Sequence, residues 1–265
     1  MIMRMGTGAF LLILLAGTPA LAFDHRHTAF TTVLQAHVSW NEAGTASVVD
    51  YPALKENRQP LDDYLDTLSA VPRAEFEAWD KDRQLAFLIN AYNGFTLALI
   101  LDNYPVDSIR GIGRFWQNPW KIRFFTLLGE KMHLDQVEHD IIREPGRFDE
   151  PRIHFAVNCA SIGCPALRDE AFVHDRLDAQ LEDSTRRFLI DDSRNRYNPE
   201  NESLEVSSIF KWYGEDFERD AGSVRKWLAR YADLLTDNKA AKAQIQAGNV
   251  HLQYLDYDWA LNNRR

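Results

Sequence analysis

Cysteine is nearly missing from this chain: 265 residues hold two, Cys159 and Cys164. That supply is too small for a disulfide-built scaffold or a four-cysteine zinc site. Basic residues are also in deficit, with 30 Lys and Arg against 39 Asp and Glu and a formal net charge of −9. An acidic chain without a basic block repels phosphate backbones and anionic lipid surfaces, so nucleic acid is not expected as a partner and anionic membranes are disfavoured. No glycine-rich phosphate loop occurs. The nearest stretch, "RGIGRF" at 110–115, lacks both the glycine pattern and the Lys-Ser/Thr end, and no cofactor is implied. Past the N-terminus no stretch reads as long and apolar enough to span a bilayer. Repeats, low-complexity tracts and Ser/Gly linkers are absent too.

What is present begins with "MIMRMGTGAFLLILLAGTPALAFDH". One positive charge (Arg4), a short apolar core from Phe10 to Ala16, a Gly/Pro break and then Ala20-Leu21-Ala22 form the three-part pattern of a secretory signal peptide. The expectation is cleavage after Ala22, with residues 23–265 forming one soluble globular domain, periplasmic or extracellular, that makes no stable membrane insertion. Hydrophobic residues make up 45% of the chain, enough to build a core.

Periodicity gives the fold class. Residues 28–103 read mainly as helix, and "RQLAFLINAYNGFTLALILDNYP" is apolar nearly all round, the mark of a central helix packed on several sides. "WKIRFFTLLGEKMHL" reads as two short strands around Gly129-Glu130, "DQVEHDIIRE" as a short helix and "RIHFAVN" as a strand. "DEAFVHDRLDAQLEDSTRRFLID" reads as a long amphipathic helix, and "ESLEVSSIFKWYGEDF" as a strand and turn. Two helices and a last strand, "NVHLQYLDYDWALN", follow. N-terminal helices with a central apolar helix on a small antiparallel sheet make an α+β fold.

Chemistry concentrates in "RIHFAVNCASIGCPALRDEAF", residues 152–172. If 152–158 is a strand, side chains alternate and His154 and Asn158 face away from Cys159. Cys159 then ends the strand, and the small residues of "ASIG" make a turn able to expose the sulphur and to aim backbone N–H groups at an anionic intermediate. Two other readings stay open. A Cys159–Cys164 disulfide suits an exported protein and would contribute about 2 kcal/mol at most. A metal site could draw on Cys159, Cys164, His139 and His154, although their spacing fits no recognised finger or ribbon.

Bases are offered by "LDQVEHDIIRE". Glu138 falls on the apolar face, where a carboxylate could orient a histidine, and His139 falls at its edge. Asp135 and Glu138 also fit a capping box, which would employ the acid structurally. Asn90 and Asn93 interrupt the apolar helix, and buried amides must be hydrogen-bonded, so bracing is favoured over substrate contact. "FKWYGEDF" supplies aromatics with Asp216, a second residue able to orient a histidine.

The blocks "LAFLINAYNGFTL", "VEHDII", "PRIHFAVNCASIGCPAL", "SSIFKWYGEDF" and "YLDYDWALN", in that order from about residue 84 to 262, resemble the motifs of the family called domain of unknown function 547. The resemblance implies export, as in bacterial members, and marks Asn90, Tyr92, Asn93, Glu138, His139, His154, Cys159, Cys164, Trp212, Asp216 and Phe217 as motif positions; it implies no activity. From the residues, the expected function is a cysteine-dependent hydrolase or acyl transferase acting on an amide or peptide. Cys159 is the expected nucleophile, His139 or His154 the base, and Glu138 or Asp216 the orienting acid. Asn90, Tyr92, Asn93, Asn158 and Trp212 bind substrate or brace the site. The alternative is a non-catalytic module that binds a small molecule or peptide, with the cysteines joined in a disulfide. The sequence does not set the oligomeric state.

Overall fold

A computed structural model describes residues 22–114 and 116–264. The expected signal segment, residues 1–22, lies outside them apart from Ala22. Five helices come first: α1 (Thr28–His37), α2 (Tyr51–Glu56), α3 (Gln59–Ser69), α4 (Arg73–Ala78) and α5 (Lys81–Asn103). Between α1 and α2 lies an antiparallel hairpin, β1 (Val38–Trp40) and β2 (Ser47–Val49), inside the stretch read as helical. Asp80 caps α5 by accepting from the Arg83 N–H. From Leu85 to Leu101 every residue of α5 is buried, because α2, α3 and the 136–142 turn cover it from different sides. This corrects one expectation. Helix α5 is long and apolar enough to cross a membrane, yet 94% of its most apolar window is buried inside the protein.

The two short strands read from the sequence form the hairpin β3 (Phe125–Leu127) and β4 (Glu130–Met132), which turns at Leu128-Gly129, both with positive φ, one residue earlier than the expected Gly129-Glu130. Two segments differ from the reading above. "RIHFAVN" is no strand: Pro151–Phe155 is a 3-10 turn and the chain runs on irregularly through Asn158. "DQVEHDIIRE" widens into a π-helical turn, Gln136–Ile142, closed by the Arg143 N–H to the Glu138 carbonyl. Helix α6 (Leu177–Leu189) is shorter than its amphipathic run, because Asn90 holds the backbone of Phe172 outside any helix.

A second sheet joins β5 (Arg196–Asn198) antiparallel to β6 (Ser203–Ser207), and β6 parallel to β7 (His251–Leu255). Between β6 and β7 come α7 (Ile209–Trp212), α8 (Gly214–Ala221), α9 (Val224–Ala229), α10 (Ala232–Leu235) and α11 (Lys239–Gln246). The fold is α+β. Its apolar residues form two clusters, a large one around α5 and a smaller aromatic one holding Phe188, Phe210, Phe217 and Trp227. They meet at residues 153–157, where Ile153, Ala156 and Val157 belong to the first and Phe155 to the second.

Candidate functional site

The loop carrying both cysteines is built outward from α5. Asn93 Nδ2 donates to the Ala156 carbonyl at 2.9 Å, and its Oδ1 accepts from the Asn158 N–H at 2.8 Å. Asn158 in turn donates to the Pro165 carbonyl (2.7 Å) and accepts from the Ala160 N–H (2.8 Å). The second contact is an Asx turn, and it holds Ala160 at φ 61°, a left-handed conformation that costs an alanine about 1–2 kcal/mol. Three buried amides, Asn90, Asn93 and Asn158, are thus spent on backbone. The loop's outer side is tied to the C-terminal tail through Ile162 N–H to Ala260 O and Gly163 N–H to Asp258 O.

This frame brings the two sulphurs together as free thiols, in place of the bridge that the sequence leaves open. Cys164 Sγ accepts from the Cys159 N–H at 3.0 Å and from Tyr257 Oη at 3.0 Å. Tyr257 Oη also lies 3.3 Å from Cys159 Sγ, which reaches Ser161 Oγ at 3.6 Å. Cys159 is half-buried and Cys164 is 4% exposed, and both line one cavity. The hydrogen bond from Cys159 to Cys164, with burial, pushes the Cys159 thiol well up. Burial would raise Cys164 as well, but the Cys159 thiol, the Tyr257 hydroxyl and the N–H groups of Ser161 and Cys159 outweigh it and bring Cys164 down to about 7.

The turn aims its Cys159 and Ser161 N–H groups at the Cys164 sulphur; most of its other N–H groups are closed to an anionic intermediate. The N–H groups of Ala160, Ile162, Gly163 and Cys164 all have acceptors inside the protein, and that of Cys159 is given to the Cys164 sulphur.

His154 does not face away from Cys159 either: without a strand there is no alternation, and both residues lie on the wall of the same cavity. His154 is buried, with Nε2 2.7 Å from Asp216 Oδ2 and its ring stacked on Tyr213 at 3.9 Å between centroids. Arg143 Nε donates to the same Asp216 oxygen at 2.5 Å, and Arg219 to the other at 3.2 Å. Burial alone would raise the Asp216 carboxyl, but His154 and Arg143 hold it well below the usual carboxylate range. Burial lowers His154 against the pull of Asp216 and Glu138, so the ring is neutral near pH 7. An ionised Asp216 accepts the Nε2–H, which leaves the lone pair on Nδ1, an atom buried without a partner. No hydrogen bond joins a histidine to either sulphur among the described residues.

Glu138 is turned inward, 3% exposed, and its Oε1 has no partner. The capping box is not formed. Asp135 makes no capping bond, and the Gln136 N–H is taken by His133 Nδ1 at 2.9 Å instead. His139 lies on the exposed side and accepts from Arg143 Nη1 at 2.5 Å, while its ring still reaches the cavity rim. Among the described residues no three His, Cys, Asp or Glu side chains converge as a metal-holding group.

The cavity measures about 200 Å³ and lies on the seam between the two apolar clusters, with Tyr92 and Val157 from one and Ile209 from the other. Tyr92 and Trp212 were marked by the sequence. Trp120, Tyr213, Tyr257 and Trp259 were not, although Tyr257 and Trp259 stand in the quoted block "YLDYDWALN". Nothing in linear spacing joins that tail to cysteines some ninety residues earlier (93 positions separate Tyr257 from Cys164).

No curated protein and no solved structure matches the chain. One family model does, that of "Protein of unknown function, DUF547", over residues 76–189. The match takes in α5, the π-helical turn, the cysteine loop and α6, and stops short of Trp212, Asp216 and Tyr257. Residues 76–189 of this chain are therefore similar to the DUF547 family.

Proposed function

We propose that the protein is an exported, thiol-dependent hydrolase or acyl transferase acting on an amide or peptide bond. One observation carries the reading: a sulphur with two directed donors, Cys164, shares a cavity with a histidine oriented by a carboxylate. The nucleophile is the Cys164 thiolate, and Cys159, given that role from the sequence, is its proton-donating neighbour. Attack on a carbonyl carbon forms the C–S bond and breaks the C–N bond, and the leaving amine takes the Cys159 proton. Water then attacks the thioester, forming the C–O bond and breaking the C–S bond to release the acid and the Cys164 thiolate, with the water's proton passing to His154 Nδ1 and the imidazolium stabilised by Asp216. That proton returns to Cys159. Tyr257, fixed between the sulphurs, keeps the charge on Cys164 until substrate arrives.

A second reading is favoured by a different observation: the N–H groups of Ala160, Ile162, Gly163 and Cys164 are already bonded within the protein, and no histidine hydrogen-bonds a sulphur among the described residues. A binding module would look the same.

Iodoacetamide labelling against pH, resolved by peptide mass on mildly reduced protein, separates the two. The expected outcome is labelling of Cys164 ahead of Cys159 with a midpoint near 7, raised by about a unit in Tyr257→Phe. Equal, slow labelling at both positions, with an ordinary thiol midpoint of ~8.5, overturns the enzyme reading in favour of the module.

A further inference from the structure

The cavity beside the sulphurs has a wall of unusual composition for its size. Six tyrosine and tryptophan rings line it: Tyr92, Trp120, Trp212, Tyr213, Tyr257 and Trp259. Three of them form a continuous corner, with Tyr257 4.5 Å from Trp259 and 4.9 Å from Trp212 between centroids, and Trp212 stacked on Trp259 at 5.6 Å. The wall also contains two carboxylates, Asp135 and Glu138, and no lysine or arginine. Asp135 is partly matched from outside by Lys121, 3.8 Å away. Glu138 is not matched in that way. Its Oε1 has no hydrogen-bond partner; the neutral Tyr92 and Tyr213 hydroxyls lie beside the carboxylate, and Arg143, the nearby guanidinium, gives its bonds to Asp216 and His139.

We propose that this cavity binds an organic ammonium group, an alkylated or lysine-type amine, between the aromatic corner and the Glu138 carboxylate. A buried carboxylate with an empty oxygen is costly unless something positive meets it. Aromatic faces attract such a cation through the ring quadrupole while tolerating its alkyl groups, which water does not. Two of the rings already take a guanidinium from outside the cavity: Arg143 Cζ lies 4.8 Å from the Tyr213 centroid, and Arg110 Cζ lies 5.1 Å from that of Trp259. The volume, about 200 Å³, is below the ~300–1,000 Å³ of sites that enclose a drug-sized ligand, so one head group or one side chain enters rather than a whole large molecule. A Cys164 thiolate adds negative charge to the same wall. The neutral His154 does not oppose it.

The inference goes beyond the thiol chemistry and stands without it. Tryptophan fluorescence and calorimetry on the full chain would follow titration with choline, with its uncharged carbon isostere 3,3-dimethylbutan-1-ol, and with Nα-acetyl-lysine amide. The expected result is that at least one of the two cations binds about tenfold or more tightly than the isostere. Whichever binds more strongly tells a free ammonium head group from a lysine side chain. Glu138→Gln is expected to remove most of that preference while leaving the isostere's affinity unchanged. Should Glu138→Gln fail to fold, Trp212→Leu serves, since that ring is 46% exposed; several-fold weaker cation binding at an unchanged melting temperature is expected. Equal affinity for cation and isostere, or no cation binding at ~10 mM, overturns the proposal. Cys164→Ser is expected to keep cation binding within a few-fold, so loss of the thiol reading and loss of this one are separate results.

Discussion

Asn93 shows how one polar side chain in an apolar helix positions chemistry it does not perform. It satisfies one carbonyl and one N–H of the segment leading to Cys159, and it is 2% exposed. Asn93→Leu fills the same space and leaves both backbone groups without partners, at ~1–3 kcal/mol. Thermal melts are expected to show that loss, and an unchanged melting temperature would return Asn93 to the role of a substrate contact. The presence of amides on α5 was legible in the sequence, because burial of an amide demands a partner. The identity of the partner was not, since Ala156 and Asn158 lie 63 and 65 positions away.

The C-terminal tail acts at the scale of an element, as a strap across the cysteine loop. Residues 258–262 give carbonyls to Ile162 and Gly163 and an N–H to Ala160, and they deliver Tyr257 to both sulphurs. Gly163 is the point of closest approach. A Cβ there would stand 3.0 Å from the Asp258 carbonyl oxygen and 3.0 Å from the Tyr257 ring, and a backbone oxygen cannot swing aside as a flexible side chain can. Gly163→Ala is therefore expected to push the tail outward, detach Tyr257 from Cys164 and move the Cys164 labelling midpoint upward, toward that of Tyr257→Phe. Labelling identical to the unmutated protein would show that the strap yields elsewhere. The π-helical turn belongs to this scale too: its apolar pattern was readable, but its width and the inward place of Glu138 depend on packing against α5.

At the scale of the whole molecule, two histidines are buried in different places and make stability depend on pH. His27 hydrogen-bonds Tyr64 at 2.7 Å, and burial pushes it from 6.5 down to about 3; burial lowers His154 as well. Unfolding lets each ring take a proton near pH 6.5, which the folded state resists. This contribution to stability is therefore complete above about pH 6.5 and is lost progressively as pH falls below it. One such histidine accounts for about 2 kcal/mol by pH 5. Melting temperatures are expected to fall between pH 7 and 5, and His27→Asn, which tolerates the φ of 48° there, is expected to flatten the slope. A flat profile in the unmutated protein would refute this account.

The α+β class, the buried central helix and the β3–β4 hairpin follow from the sequence alone, because each rests on local periodicity, turn chemistry or residue type. The turn at Pro151–Phe155 reads as a strand in the sequence, because an apolar run states that it is buried and not which backbone buries it. Only the tertiary structure decided which sulphur gathers the hydrogen-bond donors and which histidine meets a carboxylate. Cys159 and Cys164 are equivalent as letters, and they differ once Tyr257 and a backbone N–H reach one of them. His139 and His154 are equally placed by pattern, and they differ once Asp216, 62 residues beyond His154, arrives on one ring. Hydrogen bonds between distant segments exist only after the two apolar clusters have closed against each other, and it is along that seam that the cavity forms.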